Sequence, residues 1–205
     1  MKTITAAVVL LAALVGVSDI VANRPKVVFA GDSITEFWGQ PGNSLMFPLH
    51  PEYVDTGIHG QTSTQILARF QRDVIARRPG VIVILAGIND LSVESGPQAF
   101  QTITRNLASM VQAGQASGAR VVLASLLPIN PETRVGRMYN TPEEIRAVNR
   151  WSQAYCAAHG CTYLDYYSSL VAPNGTVKAG LTKDGVHPTR AGYRIMAGLL
   201  SKALR

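Results

Sequence analysis

Hydrophobic and polar positions alternate in blocks along this chain, so that short apolar runs are separated by longer amphipathic segments. The runs at 81–85 and 121–123 contain only Val, Ile and Leu, which is typical of strands that are covered on both faces. On this pattern we predict five strands, at residues 26–30, 52–56, 81–86, 120–126 and 162–164.

The amphipathic segments between these runs predict helices, and breaker residues mark their ends. We expect helices over 62–78, 97–117, 142–159 and 189–204. The first stops before Pro79-Gly80, and the second ends at Gly118. Thr141-Pro142 has the form of a helix cap followed by a proline at the first helical position.

The regular alternation of strand and helix predicts an α/β fold. Parallel strands joined by right-handed crossovers place helices on both faces of the sheet. We therefore expect a three-layer α/β/α sandwich around a doubly wound, parallel, five-stranded sheet. Sites in such sheets lie outside the carboxyl ends of the strands.

Polar residues and glycines gather where the predicted strands end. Ser33 follows the first strand in Gly31-Asp32-Ser33, and a serine becomes a good nucleophile only when a base accepts its proton. Among the four histidines, His187 has a carboxylate, Asp184, three residues earlier on a turn that enters a helix. We therefore predict Ser33 as the nucleophile, His187 as the base and Asp184 as the residue that orients it.

The other three histidines have simpler interpretations. His50 lies in a loop between two prolines, and His159 lies at a helix end, where a cation is favourable. His59 is at the predicted active edge, where exposure in a loop accounts for it.

A tetrahedral oxyanion needs hydrogen-bond donors, and three candidates follow the strands. They are the backbone N–H groups of Ser33 and Gly60 and the side-chain amide of Asn89. We expect Asp90 to cap a helix or to orient Asn89 rather than to act directly.

Four motifs together resemble the SGNH (GDSL) hydrolase family, and its platelet-activating-factor acetylhydrolase-like branch in particular. They are Gly31-Asp32-Ser33-Ile34, Gly60 after a strand, Gly87-Ile88-Asn89-Asp90, and Asp184-Gly185-Val186-His187-Pro188. The resemblance spans residues 31–188, and its one departure is Ile34 in place of leucine. It implies a flavodoxin-like fold, the same triad and oxyanion hole, hydrolysis of carboxylic esters, and neither a metal nor an organic cofactor.

Length and charge narrow the class of protein further. A chain of 205 residues that is 47% hydrophobic fits one compact domain, which we place at residues 23–205. The net charge is +6, but the basic residues are scattered. Nucleic-acid binding would need a clustered basic stripe, so we expect a small-molecule ester as the partner.

The beginning of the chain differs from the rest. Lys2 precedes a run from Ile4 to Val17 that contains no charged residue. This pattern predicts a secretory signal peptide over residues 1–22, cleaved after Ala22 or alternatively after Ser18. The run is shorter than the roughly 20 apolar residues that a membrane-spanning helix requires. We therefore expect a secreted or periplasmic enzyme without stable membrane insertion.

The only two cysteines, Cys156 and Cys161, flank a predicted helix end at which Gly160 provides the C-terminal cap. After export they would enter an oxidising compartment, and the two positions are close enough for a disulfide. Two buried thiols explain them equally well, and two cysteines cannot provide a four-ligand zinc site.

Three classes of function are compatible with these residues. The first is an esterase of short-chain acyl or aryl esters, with thioesters and lysophospholipids as further possibilities. The second is a carbohydrate esterase that removes acetyl groups from polysaccharides. The third is a catalytically silent binding module; a nucleotide-binding protein is disfavoured because no Gly-x-x-x-x-Gly-Lys motif occurs. The loops 37–41 and 129–140 are candidates for lining an acyl pocket, and their shortness predicts an open site.

Overall fold

The computed structural model describes residues 27–44, 46–139 and 142–205. The predicted signal peptide at residues 1–22 and the predicted cap at Thr141 lie outside the described residues. Within the described ranges, no helix combines the length and the hydropathy needed to cross a membrane.

A parallel five-stranded sheet forms the middle of the molecule. Its strands are β1 (Val27–Gly31), β2 (Tyr53–Asp55), β3 (Val81–Leu85), β4 (Arg120–Ala124) and β5 (Thr162–Leu164). The strand order is β2-β1-β3-β4-β5 and every pairing is parallel. This is the flavodoxin-like order, so the fold class predicted from the alternation of elements is confirmed.

Eight α-helices occur among the described residues, in chain order α1 (Ser33–Gly39), α2 (Met46–Leu49), α3 (Ser63–Asp73), α4 (Asp90–Val93), α5 (Gly96–Ala116), α6 (Pro142–His159), α7 (Tyr167–Leu170) and α8 (Arg190–Ala203). Two 3-10 turns, Ile75–Arg77 and Gly136–Tyr139, complete the order. The long helices agree with the sequence prediction to within one or two residues at most ends. The four short ones were not predicted, because they span seven residues or fewer and show no full helical period.

The helix predicted over 62–78 is interrupted. Its α-helical part ends at Asp73, and a 3-10 turn leads to Arg78, which has a left-handed backbone with φ 52°. Pro79 follows directly, and a proline disfavours the right-handed helical conformation in the residue before it. The start is as predicted, because Thr62 and Gln65 form a capping box.

The helices cover both faces of the sheet. Helices α3, α5 and α6 pack side by side on one face. On the other face α1 meets α8, where Trp38 stacks on Tyr193 at a ring separation of 5.5 Å and the Tyr193 hydroxyl donates to the Ile34 carbonyl. Residues of β1, β3 and β4 are buried almost throughout, which explains their continuous apolar sequences.

Cys156 and Cys161 form a disulfide in the structure, with their Cα atoms 4.5 Å apart. Helix α6 ends at His159, and Gly160 takes a positive φ of 72° while its N–H donates to the Cys156 carbonyl. The predicted cap at Gly160 is confirmed, and of the two alternatives for the cysteines the structure has the disulfide rather than two free thiols.

Candidate active site

Ser33 lies where β1 passes into α1, at the carboxyl edge of the sheet. Asp32 is the N-cap of α1, and its Oδ1 accepts from the Ile34 N–H at 2.9 Å. A Cβ on Gly31 would lie 2.0 Å from Oγ1 of Thr35 and 2.8 Å from the Leu85 carbonyl oxygen. Glycine is therefore required there, because the chain turns into the helix directly against β3.

The structure brings the three residues of the predicted triad together, although Ser33 and His187 are far apart in the chain. Oγ of Ser33 lies 3.0 Å from Nε2 of His187, and Nδ1 of His187 lies 2.7 Å from Oδ2 of Asp184. The Phe37 ring packs against the imidazole at a ring separation of 5.1 Å. The His187 side chain remains 19% exposed, so solvent and a substrate can reach the Ser33–His187 contact.

Hydrogen bonds keep Asp184 ionised. Burial acts to raise its pKa, but the Asp184 carboxylate accepts from the His187 backbone N–H, the His187 ring and the Val186 N–H. Together these donors hold the pKa of Asp184 below its ordinary value. The carboxylate is therefore charged at neutral pH and able to orient the imidazole.

The Asn89 side chain is held by two partners on opposite ends of its amide. Its Nδ2 donates to the Gln61 carbonyl at 2.9 Å, and its Oδ1 accepts from the Tyr139 hydroxyl at 3.0 Å. A backbone carbonyl can only accept, so this contact identifies Nδ2 as the atom that faces Gln61. An amide nitrogen has two hydrogens, which leaves one for a further acceptor.

Hydrogen bonds attach the loop that carries Gly60 to the end of β1 and to Asn89. The Ile58 N–H donates to the Gly31 carbonyl at 3.2 Å, and the Gln61 carbonyl receives the Asn89 amide. Gly60 has a positive φ of 72°, and its backbone borders open space. The first N–H groups of a helix have no intrahelical acceptor, so the Ser33 N–H is also available as a donor.

Glu36 fixes this loop to α1. Its Oε2 accepts from the His59 N–H at 2.6 Å and from His59 Nδ1 at 3.1 Å. A Cβ on Gly57 would lie 2.3 Å from the Glu36 backbone nitrogen, so the loop also packs closely against the helix. The His59 side chain is exposed, as expected from the sequence, and its contact with Glu36 was not foreseen.

Arg69 is a second residue that sequence reasoning missed. Its guanidinium is buried and donates to the Gly31 carbonyl at 3.0 Å, to the Gln61 side chain and to Asp73. The group therefore links the end of β1 to the loop that carries Gly60. One signal was present in the sequence, because Arg69 occupies the same helix face as the apolar Ile66 and Phe70.

Asp90 binds the amino end of α3. Its carboxylate accepts from the Ser63 N–H at 2.7 Å and from the Ser63 hydroxyl at 2.5 Å, and Ser63 in turn accepts from Asn106. Asp90 therefore caps a neighbouring helix and joins the segment that contains Asn89 to the one that follows Gly60.

The other two histidines bond to partners outside the Ser33–His187 contact. His50 pairs with Glu52 at 3.2 Å, and His159 bonds to the Tyr155 carbonyl at a helix end. In the loop 37–41, which was considered for an acyl pocket, Phe37 contacts His187, whereas Trp38 is buried in the core. In the part of the chain that the structure describes, no three His, Cys, Asp or Glu side chains are grouped as metal ligands would be.

Comparison with known proteins gives one consistent result. A profile of the GDSL-like lipase/acylhydrolase family matches residues 29–195. The chain is 30% identical over 183 residues to the platelet-activating factor acetylhydrolase IB subunit alpha1 of Bos taurus, covering 86% of this chain and 74% of that protein. It is 32% identical over 139 residues to the esterase TesA of Pseudomonas aeruginosa, covering 67% and 62%.

A solved structure extends the comparison to three dimensions. A GDSL-like lipase from Bacteroides thetaiotaomicron aligns with a TM-score of 0.80 and 34% identity, covering 92% of this chain and 94% of that one. The residues matched by the family profile, 29–195, include Ser33, Gly60, Asn89, Asp184 and His187. This chain therefore belongs to the GDSL-like lipase/acylhydrolase family and is a carboxylic ester hydrolase.

Proposed function

We propose that the chain hydrolyses short-chain acyl or aryl esters with Ser33 as the nucleophile, His187 as general base and acid, and Asp184 as the residue that orients the imidazole. The observation that carries this proposal is the pair of contacts on His187. One ring nitrogen lies 3.0 Å from Oγ of Ser33, and the other lies 2.7 Å from the Asp184 carboxylate. This is the arrangement that an activated serine requires.

The reaction proceeds in two halves. Oγ of Ser33 attacks the ester carbonyl carbon while its proton passes to Nε2 of His187. The tetrahedral intermediate collapses, the alcohol leaves with the proton from His187, and the acyl group remains on Ser33. A water molecule then loses a proton to His187 and attacks the acyl-enzyme, which releases the carboxylic acid and restores the Ser33 hydroxyl.

The oxyanion of each intermediate is bound by the N–H groups of Ser33 and Gly60 and by the second amide hydrogen of Asn89. Two features support this assignment: the Gly60 loop is bonded to the Gly31 carbonyl beside Ser33, and Nδ2 of Asn89 has one hydrogen that the Gln61 carbonyl does not use. Donors that are already held in position stabilise the developing charge without reorganising during the reaction.

Apolar side chains near this edge support an ester with a small apolar acyl group. Ile58 follows β2, Val93 ends the short helix after β3, and Met138 lies in the loop after β4. All three are exposed, at 40%, 77% and 64%. Ile58 and Val93 follow β2 and β3, the two strands beside the one that carries Ser33, and Met138 follows β4, the next strand along the sheet.

The test is a series of initial rates on p-nitrophenyl acetate, butyrate and octanoate, with Ser33→Ala as the paired variant. We expect the highest kcat/KM on the shorter chains and a loss of at least about a thousandfold in the variant. Rates that rise steadily beyond eight carbons would contradict the short-chain preference. Equal turnover by the variant would contradict Ser33 as the nucleophile. Release of acetate from acetylated xylan by a chain that is inert on aryl esters would assign a carbohydrate esterase instead.

We also propose that residues 1–22 direct export and are removed. The disulfide between Cys156 and Cys161 supports this, because disulfides persist in oxidising compartments. The check is the intact mass of the protein recovered from the periplasm or the medium after expression in a bacterium. A mass that begins at Asn23 or Asp19 is expected, and retention of Met1 on a cytoplasmic product would contradict the proposal.

A further inference from the structure

A cleft lies on the face of the sheet that α1 and α8 cover, between α2 and α8. It has a volume of about 370 Å³, within the usual range of small-molecule sites. Apolar side chains form much of its wall, among them Met46, Leu49 and Tyr53 on one side and Ala197 and Leu200 on the other. The Leu49 side chain is 70% exposed, so it presents apolar surface at the cleft.

Two arginines complete the wall of this cleft. Arg190 and Arg194 are one turn apart on α8, so their side chains lie on the same side of the helix. Both are exposed, and neither has a hydrogen bond or an ion pair with any residue that the structure describes. Among the described residues, these two cations are therefore unpaired beside an apolar wall.

The remaining charges near the cleft do not cancel them. No Asp or Glu belongs to its described lining, and the lining residue His50 contacts Glu52 at 3.2 Å. His50 also stacks on Tyr53 at a ring separation of 4.5 Å. The cleft therefore combines a cationic rim with an apolar wall.

The cleft is separate from the Ser33 site. Asn43 lies at its edge and connects it to the active-site region, because Asn43 donates to the Phe37 carbonyl and accepts from Nζ of Lys183. Ser33, Asp184 and His187 are not among its lining residues.

We propose that this cleft binds a single-chain anionic amphiphile, with the anionic head on Arg190 and Arg194 and the hydrocarbon chain along Leu49, Ala197 and Leu200. Guanidinium groups match the geometry of carboxylate and phosphate oxygens, and apolar walls remove a hydrocarbon chain from water. Fatty carboxylates and monoalkyl phosphates share this chemistry. The proposal goes beyond the ester hydrolysis at Ser33 and does not depend on it.

The test measures binding in the Ser33→Ala chain, so that turnover cannot interfere. Decanoate, decyl phosphate and decanol are titrated by calorimetry below the concentrations at which they aggregate. We expect saturable binding of at least one of the two anions, and at least about tenfold weaker binding of the neutral decanol. Tighter binding of decanoate identifies a carboxylate head as the preferred one, and tighter binding of decyl phosphate identifies a phosphate head.

Variants locate the site. Arg190→Gln/Arg194→Gln should weaken the better anion at least about tenfold, and Leu49→Ser should weaken it by a smaller factor. The matched control for the single variant Arg194→Gln is Arg105→Gln, which removes one exposed helical arginine on the other face of the sheet. Arg105→Gln should leave the affinity for the anion unchanged. No binding of either anion up to about 1 mM would overturn the proposal. Equal affinity of the double variant, or equal affinity for decanol, would also overturn it.

Discussion

The Tyr139 hydroxyl donates a hydrogen bond of 3.0 Å to Oδ1 of Asn89, in a buried position at the end of the loop that follows β4. Burial first, and then the charges of Asp32 and Asp184, raise the pKa of Tyr139 above its ordinary value, so the hydroxyl keeps its proton. With Oδ1 held from this side and Nδ2 by the Gln61 carbonyl, the Asn89 amide has one fixed orientation.

From this contact we predict that Tyr139→Phe lowers kcat about three- to tenfold and changes KM little, because the proposed oxyanion donor loses its alignment but not its hydrogen. The measurement is steady-state kinetics on p-nitrophenyl acetate. Tyr155→Phe is the matched control, since the one hydrogen bond of its hydroxyl with a described residue is an exposed contact with Gln112 at 3.4 Å. A Tyr139 variant with unchanged kcat would remove Tyr139 as a positioning residue.

Asp184→Asn should reduce kcat by about a hundredfold to ten-thousandfold, less than Ser33→Ala does. The amide cannot accept from His187 in the way that the carboxylate does, so the imidazole loses its orientation while the nucleophile remains. Kinetics of both variants on the same ester, with circular dichroism to establish folding, make the comparison. Wild-type rates for Asp184→Asn would exclude it from the triad.

Activity should fall as the solution is acidified, because a protonated His187 cannot take the proton of Ser33. The Asp184 carboxylate does not contribute to this loss, since hydrogen bonds hold its pKa below the ordinary value. The check is kcat/KM between pH 5 and pH 9. A flat profile over that range would contradict His187 as the base.

Asp32 should make the protein less stable as the pH rises. A carboxylate whose pKa is lowered by folding has the opposite effect. Its burial raises the pKa to about 7, the Ile34 N–H only partly offsets this, and its Oδ2 has no hydrogen-bond partner among the described residues. The folded protein therefore holds a proton here that the unfolded chain releases near pH 4. Asp32 therefore contributes most to the free energy of unfolding at acidic pH. This contribution falls as the pH rises towards 7, by up to about 4 kcal/mol.

Asp32→Asn isolates this effect, because the amide oxygen can still accept from Ile34 while no charge forms. Urea unfolding of both proteins at pH 5 and pH 8 gives the comparison. The free energy of unfolding of the variant, relative to that of the wild type, should be higher at pH 8 than at pH 5. A difference that does not change with pH would show that Asp32 does not titrate in this range.

Removing the Cys156–Cys161 disulfide should lower stability moderately, because it closes a loop with a sequence separation of only 5. Loop-closure entropy for so short a loop amounts to about 2 kcal/mol, or about 4–8 °C in Tm. Thermal unfolding of Cys156→Ser/Cys161→Ser, with and without reductant, is the measurement. Reductant should lower the Tm of the wild type only; an equal shift in the variant would point to a cause other than this disulfide.

Local sequence patterns were sufficient to predict the strands, the long helices and the order of the motifs. Apolar runs such as 81–85 report burial on both faces, and alternation with amphipathic helices leaves few topologies other than a doubly wound sheet. Short helices such as Tyr167–Leu170 were missed, because a single helical turn has no periodicity to detect.

The chain by itself determined which residue types end the strands, and hence that Ser33, Gly60, Asn89, Asp184 and His187 are the candidates. It could not determine their partners, because hydrogen bonds between distant segments depend on how loops close over the sheet edge. Three hydrogen bonds join residues that no sequence spacing relates: Tyr139 to Asn89, Arg69 to Gly31, and His59 to Glu36. Arg190 and Arg194, which have no acidic partner in the described part of the chain, could be placed beside the α2–α8 cleft only through the tertiary structure, for the same physical reason.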